Sequence, residues 1–280
     1  MKQRVFTSIL LLPLLFFGLI SEIFLFALIL SICFIVVSET NMNLTGSEKR
    51  FRATLYFFAI ILSFLLIIST VKFSIYFLTL TLIFFITSLI LNILGLKKLD
   101  ENIDISQYSL NENSNFEKII LREFSSIFYL LGIISIFFLY QSYDDLVWIL
   151  IPLVTVFSVD TFSYLIGSKF GKRRVKLITK ISPNKTIIGY CAGIFFGGLT
   201  FFILNIYFGN MFSNLIILIF ISTFIPIISI IGDLYASGIK RNFGVKNYGT
   251  ILPGHGGLLD RLDSVIVTIV FMNLVKVLDI

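Results

Sequence analysis

Charged residues are scarce in this sequence. Only 14% of its 280 residues are Asp, Glu, Lys or Arg, whereas 57% are hydrophobic, and the mean hydropathy is +0.99. Water-soluble globular proteins carry roughly 25% charged residues, so this composition excludes that class. We therefore interpret the chain as an all-α polytopic membrane protein.

Cysteine and histidine are rarer still. The two cysteines, Cys33 and Cys191, are far apart in sequence and lie in or beside apolar runs, so they do not form a metal-type cluster. We predict that both are buried as small hydrophobic side chains. Internal repeats of 20 to 50 residues and low-complexity tracts are also absent, which argues against a repeat architecture.

Long apolar runs, by contrast, dominate the chain. A helix that crosses a hydrocarbon core about 30 Å thick needs roughly 20 apolar residues, and this length divides the apolar sequence into nine spans. The predicted spans are Val5–Ile20, Ile23–Val37, Ala53–Thr70, Phe73–Leu96, Phe124–Tyr140, Leu146–Gly167, Ile187–Phe208, Leu215–Ala236 and Ser264–Leu278.

The positive charges test this count. With nine spans, all but Lys72 and Lys276 of the 22 lysines and arginines fall on one side of the membrane. Cytoplasmic loops carry an excess of Lys and Arg, so the N-terminus is predicted to be cytoplasmic and the C-terminus external. The polar segment Lys97–Glu123 reads as a cytoplasmic connector, and it divides the chain into membrane regions at residues 1–123 and 124–280.

Four aspartates are predicted on the cytoplasmic side, within reach of the basic loops. Asp160 and Asp233 lie inside apolar spans, where a carboxylate is costly and usually functional, and Asp260 and Asp263 open the last span. For Asp160 the alternative is a structural carboxylate paired with a lysine such as Lys169. Helical spacing places Asp233, Ser237, Lys240 and Arg241 on one face.

The stretch "PGHGGLLDRLDS", residues 253–264, combines glycines, a histidine and acids just before the last apolar run. Glycines let the backbone approach a ligand closely, and successive N–H groups at a helix start can bind an anion. Carboxylates can hold Mg²⁺, which bridges phosphate oxygens, while Lys and Arg neutralise the remaining charge. The stretch therefore predicts a site for a metal-bound phosphate.

The longer stretch "SGIKRNFGVKNYGTILPGHGGLLDRLD", residues 237–263, resembles the motif of the phosphatidate cytidylyltransferase (CDP-diacylglycerol synthase) family, S-x-x-K-R followed by K-D and H-G-G-x-x-D-R-x-D. The segments "DTFSYLIGSKFG", "SPNKT" and "IGDLYAS" upstream also resemble that family, in the same order. One position departs from the pattern: Asn247 stands where the family has Asp. Asparagine offers a neutral oxygen but no charge, and we expect the site to tolerate it.

The resemblance implies an inner-membrane enzyme of phospholipid biosynthesis that makes CDP-diacylglycerol and pyrophosphate from CTP and phosphatidic acid at the cytoplasmic face. It also implies one or two Mg²⁺ ions and a homodimer, with no nucleic-acid partner. By resemblance, the catalytic residues are Asp233, Lys240, Arg241, Lys246, His255, Asp260, Arg261 and Asp263, with Asp233, Asp260 and Asp263 as metal ligands. The implied substrate-binding residues are Asp160, Ser182, Lys185, Ser237, Asn247, Gly256 and Gly257.

Two alternatives remain at this point. A CTP-dependent enzyme that acts on another membrane lipid, such as a polyprenol or another lipid phosphate, would share the same helix-end chemistry. An ion-coupled transporter would also need intramembrane acids, but transporters typically show inverted repeats and acids at the midplane. The D-G-x-x-A-R pattern of CDP-alcohol phosphotransferases is absent from the sequence.

Overall fold

The computed structural model describes residues 22–40, 74–101, 112–141, 146–172, 181–183, 185–209, 211–251 and 256–278. Within these ranges the chain forms helices, turns and irregular segments, and no strand. A short π-helical turn, Asn205–Gly209, directly follows the helix Ile187–Leu204. The helices are α1 (Glu22–Thr40), α2 (Ser74–Glu101), α3 (Glu112–Gln141), α4 (Val147–Phe170), α5 (Ile187–Leu204), α6 (Leu215–Asn242) and α7 (Leu259–Val277).

Among the residues that the structure describes, four helical segments are long and apolar enough to cross a membrane, and each overlaps a predicted span. They are Ile120–Tyr140, Val147–Phe170, Ile187–Phe208 and Leu215–Asn242. The chain is therefore a helical integral membrane protein, and its described part contains no strand. The count of nine spans and the orientation of the termini stay predictions, and the predicted spans Val5–Ile20 and Ala53–Thr70 lie outside the described residues.

The chain divides into two compact units. Unit 1 comprises Met1–Phe137 and Ile239–Leu262, and unit 2 comprises Phe138–Gly238 and Asp263–Ile280. Helices α3, α6 and α7 therefore contribute residues to both units. The division at residues 1–123 and 124–280, which the sequence predicts, stays a prediction.

Aromatic side chains join α2 to α3 within unit 1. The rings of Phe85 and Phe128 lie 4.7 Å apart between centroids, and those of Phe84 and Phe124 lie 5.3 Å apart. At its C-terminal end, α6 is anchored to α2 because Asn242 Nδ2 donates a 2.6 Å hydrogen bond to the Oδ1 atom of Asn92. Both amides are buried, so the bond satisfies polar groups that water cannot reach.

Glycines bring three helices of unit 2 close together. A Cβ atom on Gly189 would lie 2.7 Å from the carbonyl oxygen of Ser163 on α4, and one on Gly193 would meet the Ser163 hydroxyl. On the neighbouring face of α5, a Cβ on Gly198 would lie 2.7 Å from the carbonyl of Ser222 on α6. Small residues at such interfaces allow close backbone packing in membranes.

The opposite face of α5 carries large apolar side chains that no other part of the described chain covers. Phe195 is 65% exposed and Leu199 is 43% exposed, as expected for a surface in contact with lipid. Cys191 lies on this exposed face, so the prediction that it is buried is wrong; the glycines, not the cysteine, mark the packed side of the helix. Cys33 on α1 is buried, as predicted.

Candidate active site

Asp260 and Lys240 form a buried ion pair in unit 1. Asp260 lies in the first turn of α7, and its Oδ1 atom accepts a 2.7 Å hydrogen bond from the Lys240 ammonium on α6. Its Oδ2 atom accepts from the backbone N–H groups of Tyr248 and Gly257, at 2.9 and 3.0 Å. The side chains of Lys240 and Asp260 are only 10% and 8% exposed. The two backbone N–H groups hold the Asp260 carboxylate in place, and the carboxylate in turn orients the Lys240 ammonium.

A second carboxylate, that of Glu39 on α1, meets the same loop. Its two oxygens accept hydrogen bonds from the backbone N–H groups of Leu258 and Leu259, at 2.7 and 2.8 Å. The sequence had predicted that successive N–H groups at this helix start face a phosphate. Three of them donate to carboxylates of the protein itself instead. The N–H group of Gly257 donates to Asp260, and those of Leu258 and Leu259 donate to Glu39.

Glu39 was missed by sequence reasoning. The signal was an acidic residue just beyond the predicted span Ile23–Val37, and this position alone is typical of many helix ends. A small pocket beside it contains both predicted and unpredicted residues. The pocket is lined by Glu39, Thr40, Arg122, Ser125, Ile239, Phe243, Val245, Asn247 and Tyr248.

Asn247 lies beside Asp260 in this part of unit 1. A Cβ atom on Gly256 would come 3.1 Å from Oδ2 of Asp260 and 3.2 Å from Cγ of Asn247, so the glycine separates the two side chains. Gly256 has a φ of +92°, a conformation that side chains disfavour. Gly256 is therefore required for the local geometry, and the contact of Gly256 and Gly257 with substrate stays a prediction.

The other basic residues of the motif lie in unit 1 on the more open side. The Nη1 atom of Arg241 donates to the carbonyl of Val245 at 3.4 Å, and the side chains of Lys246 and Arg261 are exposed. His255 lies outside the described residues. Lys246 and Arg261 thus place positive charge at an exposed part of unit 1.

Lys185 and Asp233 form the corresponding pair in unit 2. The Lys185 ammonium donates to Oδ2 of Asp233 on α6, and the two side chains are 31% and 21% exposed. Burial by itself would lower the pKa of Lys185, but the Asp233 carboxylate and, more weakly, Asp160 outweigh it, so this pKa is raised. Asp160 thus lies within electrostatic range of Lys185, and the lysine stays charged.

The turn before α5 holds Lys185 in place. Thr186 is the N-cap of α5, where its hydroxyl accepts a hydrogen bond from the N–H of Gly189 at 3.2 Å. A Cβ on Gly167 of α4 would lie 3.0 Å from that hydroxyl oxygen, so α4 packs directly on the cap. The carbonyl of Ser182 accepts from the Lys185 N–H at 3.4 Å. Residues of α4 and of the turn before α5 thus together hold the backbone at Lys185 in place.

Asp263 and Ser237 complete the predicted set in unit 2. Asp263 is buried, and its Oδ1 atom accepts a 2.7 Å hydrogen bond from the N–H of Ser264. Beside it, α6 and α7 approach closely, since a Cβ on Gly232 would lie 3.1 Å from the Cα of Ser264. Asp233 and Asp263 thus adjoin a tight helix contact, and Ser237 lies one turn after Asp233, half-buried.

The acidic side chains can be tested against the needs of a metal ion. Among the residues that the structure describes, no three Asp, Glu, His or Cys side chains form a group of the kind that holds a metal. Mg²⁺, however, is usually bound by one or two carboxylates together with substrate phosphates. The carboxylates of Asp233, Asp260 and Asp263 have the hard oxygen donors that this mode requires.

Comparison with known proteins agrees with the motif. Residues 2–278 match the model of a family described as the cytidylyltransferase family. Proteins named phosphatidate cytidylyltransferase are similar over 146 residues: those of Staphylococcus aureus (strain COL), at 40% identity, Staphylococcus haemolyticus (strain JCSC1435), at 38%, and Staphylococcus epidermidis (strain ATCC 12228 / FDA PCI 1200), at 37%. Each match covers 52% of this chain and 55% of the relative, so it spans about half the length of each. The family match covers nearly the whole chain, and the protein belongs to the cytidylyltransferase family.

Proposed function

We propose that the protein is a CTP:phosphatidate cytidylyltransferase, which makes CDP-diacylglycerol and pyrophosphate from CTP and phosphatidic acid. The observation that carries this proposal is the buried Lys240–Asp260 pair, which joins two parts of the family motif separated by 20 residues. Family membership and the name shared by the relatives support the choice of substrates.

The proposed reaction is a direct displacement at phosphorus. A phosphate oxygen of phosphatidic acid attacks the α-phosphorus of CTP, a new P–O bond forms, and the bond from that phosphorus to the bridging oxygen breaks as pyrophosphate leaves. Phosphoryl-type transfer depends mainly on positioning and on neutralising charge in the transition state. The reaction therefore needs no nucleophile from the protein.

The cations of the site serve this chemistry. Asp260 and its two backbone donors hold the Lys240 ammonium in one direction, ready to contact a phosphate oxygen without first losing conformational freedom. Lys185 is paired with Asp233 in a more exposed position, and its pKa is raised, so it is charged at neutral pH. Arg241, Lys246 and Arg261 supply further positive charge for the triphosphate and the lipid phosphate.

Divalent metal is part of the proposal. Asp233, Asp260 and Asp263 would hold one or two Mg²⁺ ions together with substrate phosphates, and Asp160 would add negative charge nearby. When bound, the metal supplies charge neutralisation at phosphate oxygens. Ser182 and Ser237 would donate hydrogen bonds to phosphate, and His255 would orient the departing pyrophosphate.

The proposed substrates indicate where in the membrane the site should lie. Phosphatidic acid carries its phosphate at the depth of the lipid headgroups, and CTP arrives from the cytoplasm, so a site at the cytoplasmic ends of helices meets both. We propose nine spans in the inner membrane, with the N-terminus cytoplasmic, the C-terminus external and the site on the cytoplasmic face. A homodimer is part of the same proposal.

The test is product formation by the purified protein in detergent, with labelled CTP, Mg²⁺ and one lipid at a time. Phosphatidic acid is expected to give CDP-diacylglycerol and pyrophosphate, and removal of Mg²⁺ with a chelator is expected to abolish both. A polyprenyl phosphate, a polyprenol and diacylglycerol serve as comparison lipids. Product from one of these, and none from phosphatidic acid, would replace the proposed substrate.

A further inference from the structure

Glu39 occupies an unusual position for an acidic side chain. It lies at the end of α1, only 2% exposed, and more than 200 residues in sequence from the backbone groups that it contacts in unit 1. Both carboxylate oxygens make short hydrogen bonds, to the N–H groups of Leu258 and Leu259. Bonds from N–H groups to an ionised carboxylate are stronger than those between neutral groups.

The surrounding backbone leaves space only for this carboxylate. Gly249 and Gly257 flank it, and a Cβ atom on either glycine would lie 2.7 Å from Oε1 of Glu39. A Cβ at that separation forces a shift of the carboxylate or of the loop. The second glycine of the H-G-G motif therefore has a structural reason, which is close approach to Glu39.

The contact leads directly to the proposed reacting groups. Leu258 and Leu259 immediately precede Asp260, whose Oδ2 atom holds the N–H of Gly257 and whose Oδ1 atom holds Lys240. Three successive backbone N–H groups are thus fixed by two carboxylates, one from α1 and one from α7. The start of α7 also favours negative charge, because the helix dipole is positive there.

We propose that Glu39 is a positioning residue of the active site: its carboxylate holds the Gly257–Leu259 backbone and thereby fixes Asp260 and Lys240 for cytidylyl transfer. The reaction itself is the one given under Proposed function, on which this inference rests. A glutamine in the same place has one acceptor oxygen, and its NH₂ group would face a backbone donor. Glu39→Gln therefore removes one of the two bonds with almost no change in size.

The experiment combines catalysis with hydrogen exchange on the full-length protein in detergent. Glu39→Gln is compared with wild type and with Glu123→Gln, the same substitution at a half-buried glutamate in unit 1. Backbone hydrogen exchange in peptides covering residues 256–262 reports whether the N–H groups of Leu258 and Leu259 are bonded to Glu39, and it needs no substrate. We expect faster exchange there in Glu39→Gln alone, with kcat lower by roughly 10- to 100-fold, as for other residues that orient a site, and KM for CTP changed far less.

Glu39→Asp keeps the charge on a shorter stem and provides a second, milder variant, expected to fall between wild type and Glu39→Gln in both readouts. Unchanged exchange and unchanged kcat in a folded variant would overturn the inference. Loss of the fold in both variants would also overturn it, because Glu39 would then serve general stability. If the wild type made no CDP-diacylglycerol, the proposed function would fail, while exchange would still decide whether Glu39 holds the loop.

Discussion

The two lysine–aspartate pairs, one in each unit, differ in how firmly they are held. In unit 1 the side chains of Lys240 and Asp260 are 10% and 8% exposed, and two backbone N–H groups also bind the aspartate. In unit 2 the side chains of Lys185 and Asp233 are 31% and 21% exposed. The first pair is part of a buried polar network, and the second is a more open contact between a turn and a helix.

The two pairs are therefore expected to contribute differently to the stability of the fold and to the reaction. Breaking a buried ion pair by removing one partner leaves an uncompensated charge, which is costly, whereas exposed pairs contribute little to stability. We therefore expect changes in the unit 1 pair to affect both folding and catalysis. Changes in the unit 2 pair should affect stability little and should act through the binding of substrate phosphates and Mg²⁺, which Asp233 is proposed to hold.

The largest effect is expected for Asp260→Asn. The Lys240 ammonium would lose its charged partner in a buried site, at a cost of about 3–5 kcal/mol in the free energy of unfolding. Catalysis should fall at least about 100-fold, in the range seen when one preorganised electrostatic contact is lost. Thermal unfolding in detergent and initial rates of CDP-diacylglycerol formation measure the two effects.

A double variant separates these effects. Lys240→Met with Asp260→Asn removes both charges, so that no buried charge is left uncompensated, while an amide oxygen at position 260 can still accept from the backbone N–H groups of Tyr248 and Gly257. Unfolding near the wild-type temperature with no detectable catalysis would show that the pair acts in the reaction. Recovery of catalysis together with stability would contradict a chemical role.

A smaller effect is expected for Asp233→Asn. This variant weakens the hold on Lys185 in a partly exposed pair, so stability should change by less than about 1 kcal/mol. The value of kcat/KM for CTP should fall about tenfold, as expected for the loss of one charge-assisted hydrogen bond. Steady-state kinetics test this, with Lys169→Gln, an exposed lysine on α4, as the matched control. Destabilisation equal to that of Asp260→Asn would remove the distinction between the pairs.

Asn247→Asp is expected to have a still smaller effect. Asn247 is exposed and lines the pocket beside Glu39, so an added carboxylate stays hydrated. We expect the rate at saturating CTP to stay within about twofold of wild type, because the charge is screened by water. Initial rates over a range of Mg²⁺ concentrations check this. A large gain would mean that the missing carboxylate limits the natural protein.

The smallest effect concerns alkaline pH. Because the folded-state pKa of Lys185 is raised above 10.5, the pair stabilises the fold fully below that pH, and this contribution is lost as the pH rises through the raised pKa. The difference in unfolding temperature between wild type and Lys185→Gln should thus be constant up to about pH 10 and shrink above it. A difference that grows with alkaline pH would contradict the assignment.

Local sequence predicted the helices and the polar residues, but not their partners. Apolar length and the spacing of charges placed Lys240 and Asp260 near helix ends and Asp233 inside a span, and the structure has them there. Asp233 and Lys240 were predicted on one helix face, yet each pairs with a different residue, Lys185 and Asp260 respectively. Such pairings depend on packing between distant segments, which periodicity within one helix does not encode.

Glu39 shows this limit most clearly. More than 200 residues separate it from Leu258, and its contact depends on close approach at Gly249 and Gly257. In sequence, an acid at a helix end is ordinary, and successive N–H groups at a helix start are an ordinary phosphate site. Only the fold shows that the protein supplies the anion itself.

The most direct test of the central claim compares CDP-diacylglycerol formation by wild type, Asp260→Asn and Asp233→Asn in one preparation series, with CTP varied at saturating phosphatidic acid. We predict product from wild type, loss of kcat in Asp260→Asn, and a smaller fall in kcat/KM for CTP, about tenfold, in Asp233→Asn. Wild-type rates in Asp260→Asn, or no product from wild type, would contradict it.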